Sequence, residues 1–173
     1  MAGQHGFART QVWQLEKTAS DTLRCTLQDS ETSRSVWPHQ FRLTYTVTVA
    51  EGRLVTRMTV ENPAGAPEAF KFTALLHTYF AIGDIASVQV EGFRGLSYQD
   101  KLLAGQPNTE ERNRVPVQQE VDRTYMSVPG PVVLHTSRGQ VEILKEGFAD
   151  VVFWNPWVEK SKAMADFDDE EVG

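Results

Sequence analysis

Arg42-Leu-Thr-Tyr-Thr-Val-Thr-Val49 is the stretch of sequence that decides the fold prediction. Apolar residues at the odd residue numbers alternate with arginine and threonine at the even residue numbers. This is the two-residue period of a strand with one buried face. Ala50-Glu-Gly-Arg53 is typical of a short turn, because Gly52 can adopt a positive φ without steric cost. The alternation resumes over residues 54–60. We therefore expect an antiparallel β-hairpin.

The rest of the chain shows further strand-like segments separated by turn residues. The additional predicted strands are residues 69–80, 87–91, 140–144 and 151–154. Residues 96–115 are rich in charge, Asn, Gly and Pro, so we expect a long surface excursion there. Residues 159–167 have only mild helical character. Many short strands with turns between them predict an all-β fold, an antiparallel β-sandwich or barrel, in a single domain over residues 1–173.

Composition excludes several classes of protein. The formal net charge of −6 and the absence of a Lys/Arg block argue against a nucleic-acid partner. Cys25 is the only cysteine, which excludes an intramolecular disulfide and a cysteine-based zinc site. Apolar stretches are far shorter than the roughly 20 residues that span a bilayer, and no signal-peptide core follows Met1. We expect a cytoplasmic protein without a membrane partner.

Few residues are candidates for chemistry on pattern alone. His77 lies among apolar residues and could act as a general acid or base, although a buried histidine is more often a satisfied core residue. His39 and His135 are expected to be structural. Asp122, beside Arg123, is either a surface ion pair or a functional carboxylate. Signatures of metal, nucleotide and serine-nucleophile sites are absent from the sequence.

Several motifs, in order along the chain, resemble the glucose-6-phosphate branch of the aldose 1-epimerase family. The motifs are Gln4-His-Gly-Phe-Ala-Arg9, Trp37-Pro-His39, Leu76-His-Thr-Tyr-Phe80, Val90-Glu-Gly-Phe-Arg-Gly-Leu96 with Asp100-Lys-Leu102, Val121-Asp-Arg-Thr-Tyr125 and Trp154-Asn-Pro-Trp-Val-Glu-Lys-Ser-Lys-Ala-Met-Ala-Asp-Phe167. The resemblance covers essentially the whole chain. It implies an antiparallel β-sandwich of the galactose mutarotase-like type, with the sugar in a cleft on one concave sheet.

The resemblance also implies a reaction and a ligand. The expected reaction interconverts the α and β anomers of hexose 6-phosphates, chiefly glucose 6-phosphate, without a metal or an organic cofactor. An acid protonates the ring oxygen while a base takes the proton from the anomeric hydroxyl, and the opened ring recloses on the other face. The implied partner is therefore a small hexose phosphate.

Individual roles follow from matching positions in the family. His77 matches the histidine that protonates the ring oxygen. Gln4 and Arg9 match positions that hold the substrate, with the Arg9 guanidinium suited to the phosphate. His5 is expected to line the cleft, and Asp122 matches the carboxylate that grips sugar hydroxyls.

The chain also departs from the family pattern. The family's catalytic base is a glutamate that follows the Trp154 motif, and this sequence ends before reaching it; an N-terminal segment with another phosphate-binding arginine is also missing. Thr10 and Asp168 replace the usual asparagine and glycine. We therefore expect an incomplete sandwich, truncated at both ends. A non-catalytic sugar-phosphate-binding protein and a truncated gene product stay open as alternatives.

An incomplete sandwich has a physical consequence. Missing outer strands would leave apolar faces and unpaired strand edges in contact with water. We therefore expect self-association through exposed sheet edges.

Overall fold

The computed structural model describes residues 5–65 and 68–164. The chain forms two compact units, Met1–Leu76 and His77–Gly173. Every strand pair among the described residues is antiparallel, which confirms the all-β fold class predicted from the alternating sequence. The single domain expected over residues 1–173 stays a prediction.

The first unit contains one four-stranded sheet with the strand order β1-β2-β3-β4. Its elements are a 3-10 helix at Ala8–Thr10, β1 at Gln14–Lys17, β2 at Thr22–Gln28, α1 at Glu31–Val36, β3 at Arg42–Ala50 and β4 at Arg53–Glu61. Ser30 caps the short helix α1, because its side chain accepts a hydrogen bond from the Ser33 amide and the Ser33 hydroxyl accepts one from the Ser30 amide.

The predicted hairpin is confirmed as β3 and β4. Ala50 pairs directly with Arg53, so only Glu51 and Gly52 form the connection. Their φ values are 51° and 72°, the left-handed pair that a two-residue type I′ turn requires. The twist of this turn matches the twist of the strands, and the register of the hairpin follows from it.

The two faces of this sheet differ in chemistry. Leu27, Leu43 and the neighbouring Phe41 are buried at one end, where the rings of Phe7 and Trp37 pack against Phe41 at centroid distances of 5.6 and 5.5 Å. Residues on the opposite face are mainly threonine and arginine. One end of the apolar face is therefore covered by an aromatic cluster.

The second unit contains two four-stranded sheets, β11-β10-β5-β8 and β12-β9-β6-β7. Its strands are β5 at Gln89–Glu91, β6 at Ser97–Asp100, β7 at Pro107–Thr109, β8 at Arg114–Pro116, β9 at Val121–Tyr125, β10 at Val132–Thr136, β11 at Gly139–Ile143 and β12 at Val151–Asn155. Its helices are 3-10 turns at Ile85–Ser87 and Lys101–Leu103, and α2 at Trp157–Lys162. The strands predicted near residues 87–91, 140–144 and 151–154 are thus confirmed, and α2 occupies part of the weakly helical stretch.

One buried apolar cluster lies between these two sheets. Val90, Val115 and Val132 belong to the sheet β11-β10-β5-β8, and Val121 and Tyr125 belong to the sheet β12-β9-β6-β7. The Tyr125 ring stacks on Phe93 at a centroid distance of 3.9 Å. This unit is therefore a β-sandwich, as the sequence predicts.

The strand predicted over residues 69–80 is wrong. Residues 68–84 form no strand, and Phe72, Leu75 and Tyr79 are more than half exposed. A strand is stable only when its N–H and C=O groups pair with a neighbouring strand, and no strand among the described residues forms a ladder with this segment. The apolar composition of residues 69–80 favoured a buried strand, but composition alone does not identify a surface against which the segment could pack.

The surface excursion predicted over residues 96–115 is confirmed for the exposure of most of its residues but wrong in expecting no strands there. This stretch contains β6, β7 and the start of β8, and it includes the buried residues Asp100, Glu110 and Val115. Charged residues suggested a solvated loop, but two of them are buried and paired: Asp100 with Arg123 on β9, and Glu110 with Arg112. The polar groups are satisfied internally, which lets the segment form part of the sandwich.

Candidate functional site

The alternation of β9 divides its side chains between the core and the opposite face of the sheet. Val121 and Tyr125 are buried in the core at 4% and 0% exposure. Asp122 and Thr124 therefore point to the other face, which we call the outer face of the sheet β12-β9-β6-β7. Trp154 pairs directly with Asp122 across the ladder, so its indole lies on the same face.

Asp122 is the carboxylate of the outer face. Its Oδ1 is shielded from solvent and accepts no hydrogen bond from the described part of the chain. The Lys101 ammonium nitrogen nevertheless lies 3.2 Å from this oxygen. The pair is therefore held by charge rather than by an aligned hydrogen bond.

An aromatic pair borders this carboxylate. The Tyr79 ring meets the Trp154 indole edge-on, with centroids 6.5 Å apart. His77 precedes Tyr79 by two residues, a length of chain of at most about 7 Å, and is exposed. The second unit thus brings Asp122, Trp154 and Tyr79 together on one face, and His77 belongs to the adjoining segment.

The end of β12 is fixed by a local hydrogen bond and an unusual backbone conformation. The Trp157 amide donates a 2.9 Å hydrogen bond to Asn155 Oδ1. Trp157 has a φ of 58°, a left-handed conformation that bulky residues rarely adopt, and its ring packs against the core. The chain therefore turns sharply after Asn155, where β12 ends.

A buried polar network lies on the core side of the same strands. Glu110 is 2% exposed; it accepts hydrogen bonds from Arg112 Nε at 2.7 Å and Nη2 at 2.8 Å and from the Tyr125 hydroxyl at 2.9 Å. Arg123 donates from Nε to Asp100 Oδ2 at 2.9 Å, and its guanidinium lies over the Tyr98 ring. The network ties β6 to β9 beneath the outer face.

Burial and hydrogen bonding oppose each other at Glu110. Burial by itself would raise the pKa of Glu110, but the hydrogen bonds from Arg112 and Tyr125 outweigh it and lower the pKa below its ordinary value. At Tyr125, burial and the adjacent Glu110 carboxylate both raise the pKa of the phenol well above its ordinary range. The network is therefore an ionised carboxylate facing a protonated phenol at neutral pH.

The other predicted ligand-binding residues belong to the first unit. Arg9 is exposed in the 3-10 helix Ala8–Thr10, which is anchored by Phe7 in the aromatic cluster and by the Trp13 indole donating to the Ala8 carbonyl at 2.9 Å. His5 is exposed with a φ of 69°. Gln4 lies outside the described residues.

The two remaining histidines have packing and pairing roles, as expected. The His39 ring packs on Trp37 at 4.9 Å and on Phe70 at 5.5 Å. His135 Nε2 lies 2.9 Å from Glu91 Oε2 across two paired strands.

Sequence reasoning did not single out Lys101, Tyr79 or Trp154 as site residues. Their motifs were recognised, but a role for each depends on register, which pairs Trp154 with Asp122, and on a turn that returns Lys101 towards β9. The usable signal was the alternation of Val121-Asp-Arg-Thr-Tyr125, which places Asp122 opposite the core residues.

The described residues hold no helix long and apolar enough to cross a membrane. Within the same residues, no cluster of three or more His, Cys, Asp or Glu side chains could hold a metal ion.

Comparison with known proteins identifies relatives of this chain. A protein of Cenchrus ciliaris named "Putative glucose-6-phosphate 1-epimerase" is 34% identical over 185 residues, covering 97% of this chain and 55% of that protein. A protein of the same name from Salmonella typhimurium is 31% identical, covering 96% of this chain and 56% of that protein. The chain thus spans about half the length of the curated relatives it matches.

A solved structure agrees with these relatives. The crystal structure of "a putative mutarotase (YeaD)" from Salmonella typhimurium superposes with a TM-score of 0.80 at 29% identity, covering 98% of this chain and 58% of that one. This likeness confirms the galactose mutarotase-like fold class. The sequence profile described as Aldose 1-epimerase matches residues 2–172. Because that match extends over nearly the entire sequence, the chain belongs to the aldose 1-epimerase family.

Proposed function

We propose that this protein interconverts the α and β anomers of hexose 6-phosphates, chiefly glucose 6-phosphate. The observation that carries the proposal is the outer face of the second unit, where the Asp122 carboxylate lies across the ladder from Trp154 and Tyr79 packs on that indole. A carboxylate beside aromatic rings suits a sugar, which presents hydroxyls along its edge and C–H groups on its faces. Family membership and the names of the relatives support the same reaction.

Each proposed role uses ordinary side-chain chemistry. Asp122 accepts hydrogen bonds from sugar hydroxyls and fixes the orientation of the ring. His77 donates a proton to the ring oxygen as the C1–O5 bond breaks, and a base removes the anomeric hydroxyl proton, which leaves an aldehyde at C1. Rotation about C1–C2 and the reverse proton transfers close the ring on the other face, so atoms and protons balance. Arg9, His5 and Gln4 are proposed to hold the substrate, with Arg9 at the phosphate.

No cofactor is invoked in this mechanism, because the reaction moves two protons between acid–base groups and substrate oxygens and changes no oxidation state. Histidine suits the acid role, since an imidazole can carry a proton near neutral pH.

NMR magnetisation exchange between the two anomers of glucose 6-phosphate tests the proposal. We expect the protein to accelerate exchange above the uncatalysed rate. Replacing His77 by alanine should reduce the acceleration by roughly 10²–10⁴-fold, the usual contribution of a general acid. His135→Gln is the matched control, because it removes an imidazole that is bonded to Glu91 on the other sheet and should leave exchange close to the wild-type rate.

Two outcomes would contradict the proposal. Exchange at the uncatalysed rate by folded protein would rule out the reaction; binding of glucose 6-phosphate without exchange would then favour a sugar-phosphate-binding protein. Acceleration that survives in His77→Ala would remove His77 from the acid role.

A further inference from the structure

We propose that Lys101 is a further ligand-contacting residue, whose ammonium bridges Asp122 and an anionic group of the bound sugar and so favours acidic over neutral sugars. The inference rests on the proposed function for the class of ligand, and on the contacts of the second unit for the residue. It concerns affinity and selectivity, so it can be tested separately from anomer exchange.

The backbone that carries Lys101 is tied to the strand that carries Asp122. Lys101 begins the 3-10 turn Lys101–Leu103, and Asp100 caps this turn because its Oδ1 accepts a hydrogen bond from the Leu102 amide at 3.0 Å. The other oxygen, Oδ2, accepts from Arg123 Nε on β9 at 2.9 Å. The side chain of Asp100 is 5% exposed and that of Arg123 is 15% exposed, so this anchor is sheltered from water.

The Lys101–Asp122 pair is asymmetric in its access to solvent. The Lys101 side chain is 59% exposed, whereas that of Asp122 is 18% exposed. An ammonium has three N–H donors, and contact with one carboxylate oxygen does not exhaust them. A ligand approaching the outer face therefore meets an ammonium that is more open to solvent than the carboxylate beside it.

A cation at this position reduces the repulsion between the Asp122 carboxylate and the phosphate of a bound sugar phosphate. A carboxylate that grips hydroxyls of a sugar phosphate also repels the phosphate, and this repulsion is strongest where water is partly excluded. The neighbouring Arg123 cannot relieve it from the outer face, because its guanidinium lies on the core side and is engaged by Asp100. Lys101 is the cation next to Asp122 that also faces solution, and it contacts a phosphate as a compact point charge.

The test is an NMR titration of the chain with glucose 6-phosphate and, separately, with glucose. Lys101→Met should weaken binding of glucose 6-phosphate by about ten-fold, which corresponds to about 1.4 kcal/mol, and should change the affinity for glucose by less than about two-fold. Lys101→Arg should restore most of the loss, since it returns a cation to the same turn. Arg114→Met is the matched control: it removes one positive charge from a half-exposed ion pair with Glu91 on the other sheet and should not change the ratio of the two affinities.

Each alternative result overturns the inference. Equal weakening towards both sugars would assign Lys101 a structural role through Asp122, and unchanged affinities would remove it from the site. A wild-type chain that does not bind glucose 6-phosphate would also refute it. A protein that binds with the expected selectivity but does not accelerate anomer exchange would refute the proposed reaction and leave the assignment of Lys101 in place.

Discussion

Glu110 is the residue whose environment differs most from what its type suggests. Glutamate is rarely fully buried unless it is paired, and here Arg112 supplies two side-chain donors while Tyr125 supplies a third. Since Arg112 is 45% exposed, the ion pair is partly screened by water, but the carboxylate itself is not. The stability of the second unit should therefore depend on this one charge.

Two substitutions separate the charge from the hydrogen bond. Glu110→Gln keeps the volume but removes the anion that faces Arg112 and Arg123, and we expect a loss of about 3 kcal/mol in the free energy of unfolding, the low end for a buried pair because Arg112 is 45% exposed. Tyr125→Phe keeps the ring that stacks on Phe93 and removes one donor, so about 1.5 kcal/mol should be lost. Urea denaturation measures both. A Tyr125→Phe variant with an unchanged free energy of unfolding would show that the hydroxyl does not donate a hydrogen bond to Glu110 in solution.

At the scale of secondary-structure elements, Glu91 on β5 links two neighbouring strands on the outer side of the sheet β11-β10-β5-β8. It lies 2.9 Å from His135 Nε2 on β10 and 3.2 Å from Arg114 Nε on β8. The hydrogen bond from His135, then that from Arg114, lower the pKa of Glu91 below its ordinary value of 4.5. Pairing of this short three-residue strand is thereby supported on both sides.

This shift predicts the direction of a pH effect. Because the pKa of Glu91 is lower in the folded than in the unfolded state, its contribution to stability is complete above about pH 4.5 and is lost as the pH falls through the folded pKa. We expect Glu91→Gln to flatten the fall in unfolding free energy below about pH 4.5, measured by urea titrations at low salt. Arg114→Met should also flatten this fall in unfolding free energy, but by less, since the hydrogen bond between His135 and Glu91 remains. A steeper acid dependence in either variant would contradict the cross-strand pairing.

At the scale of the whole molecule, the apolar face of the sheet β1-β2-β3-β4 extends beyond the end that the aromatic cluster covers. Side chains at the hairpin end of that face, including Val49 at 61% and Leu54 at 63% exposure, contact water. β4 is also an edge strand, nine residues long, in the order β1-β2-β3-β4. Exposed apolar surface beside an edge that pairs with no further strand among residues 5–65 and 68–164 favours association between chains.

We propose self-association of the chain through this surface, and a pair of variants on one strand tests it. Leu54→Lys adds a charge to the apolar face, and Thr59→Lys adds the same charge to the opposite, polar face of β4. Light scattering as a function of concentration should show higher-mass species in the wild type and in Thr59→Lys, and a shift towards monomer in Leu54→Lys. A compact monomer in all three proteins would refute the proposal.

Some features of this protein were determined by local sequence. The hairpin of β3 and β4 was predictable because a two-residue alternation and a turn that accepts positive φ act over a few neighbouring residues. The sandwich class followed from the same local pattern repeated along the chain. The candidate residues His77, Arg9 and Asp122 came from motifs, and their proposed chemistry depends on residue type, which the sequence states directly.

Other features were decided only by tertiary structure. Residues 69–80 carry the composition of a strand yet form none, because pairing depends on a partner that no local pattern supplies. Glu110 is buried because Arg112 is near and Tyr125 is brought to it from β9, so a charge that suggests a surface loop lies in the sandwich instead. Lys101 meets Asp122, and Trp154 lies beside it, through strand register and one capped turn. The physical reason is common to all three: the sequence determines what each side chain can do, whereas contacts between distant residues determine what surrounds it.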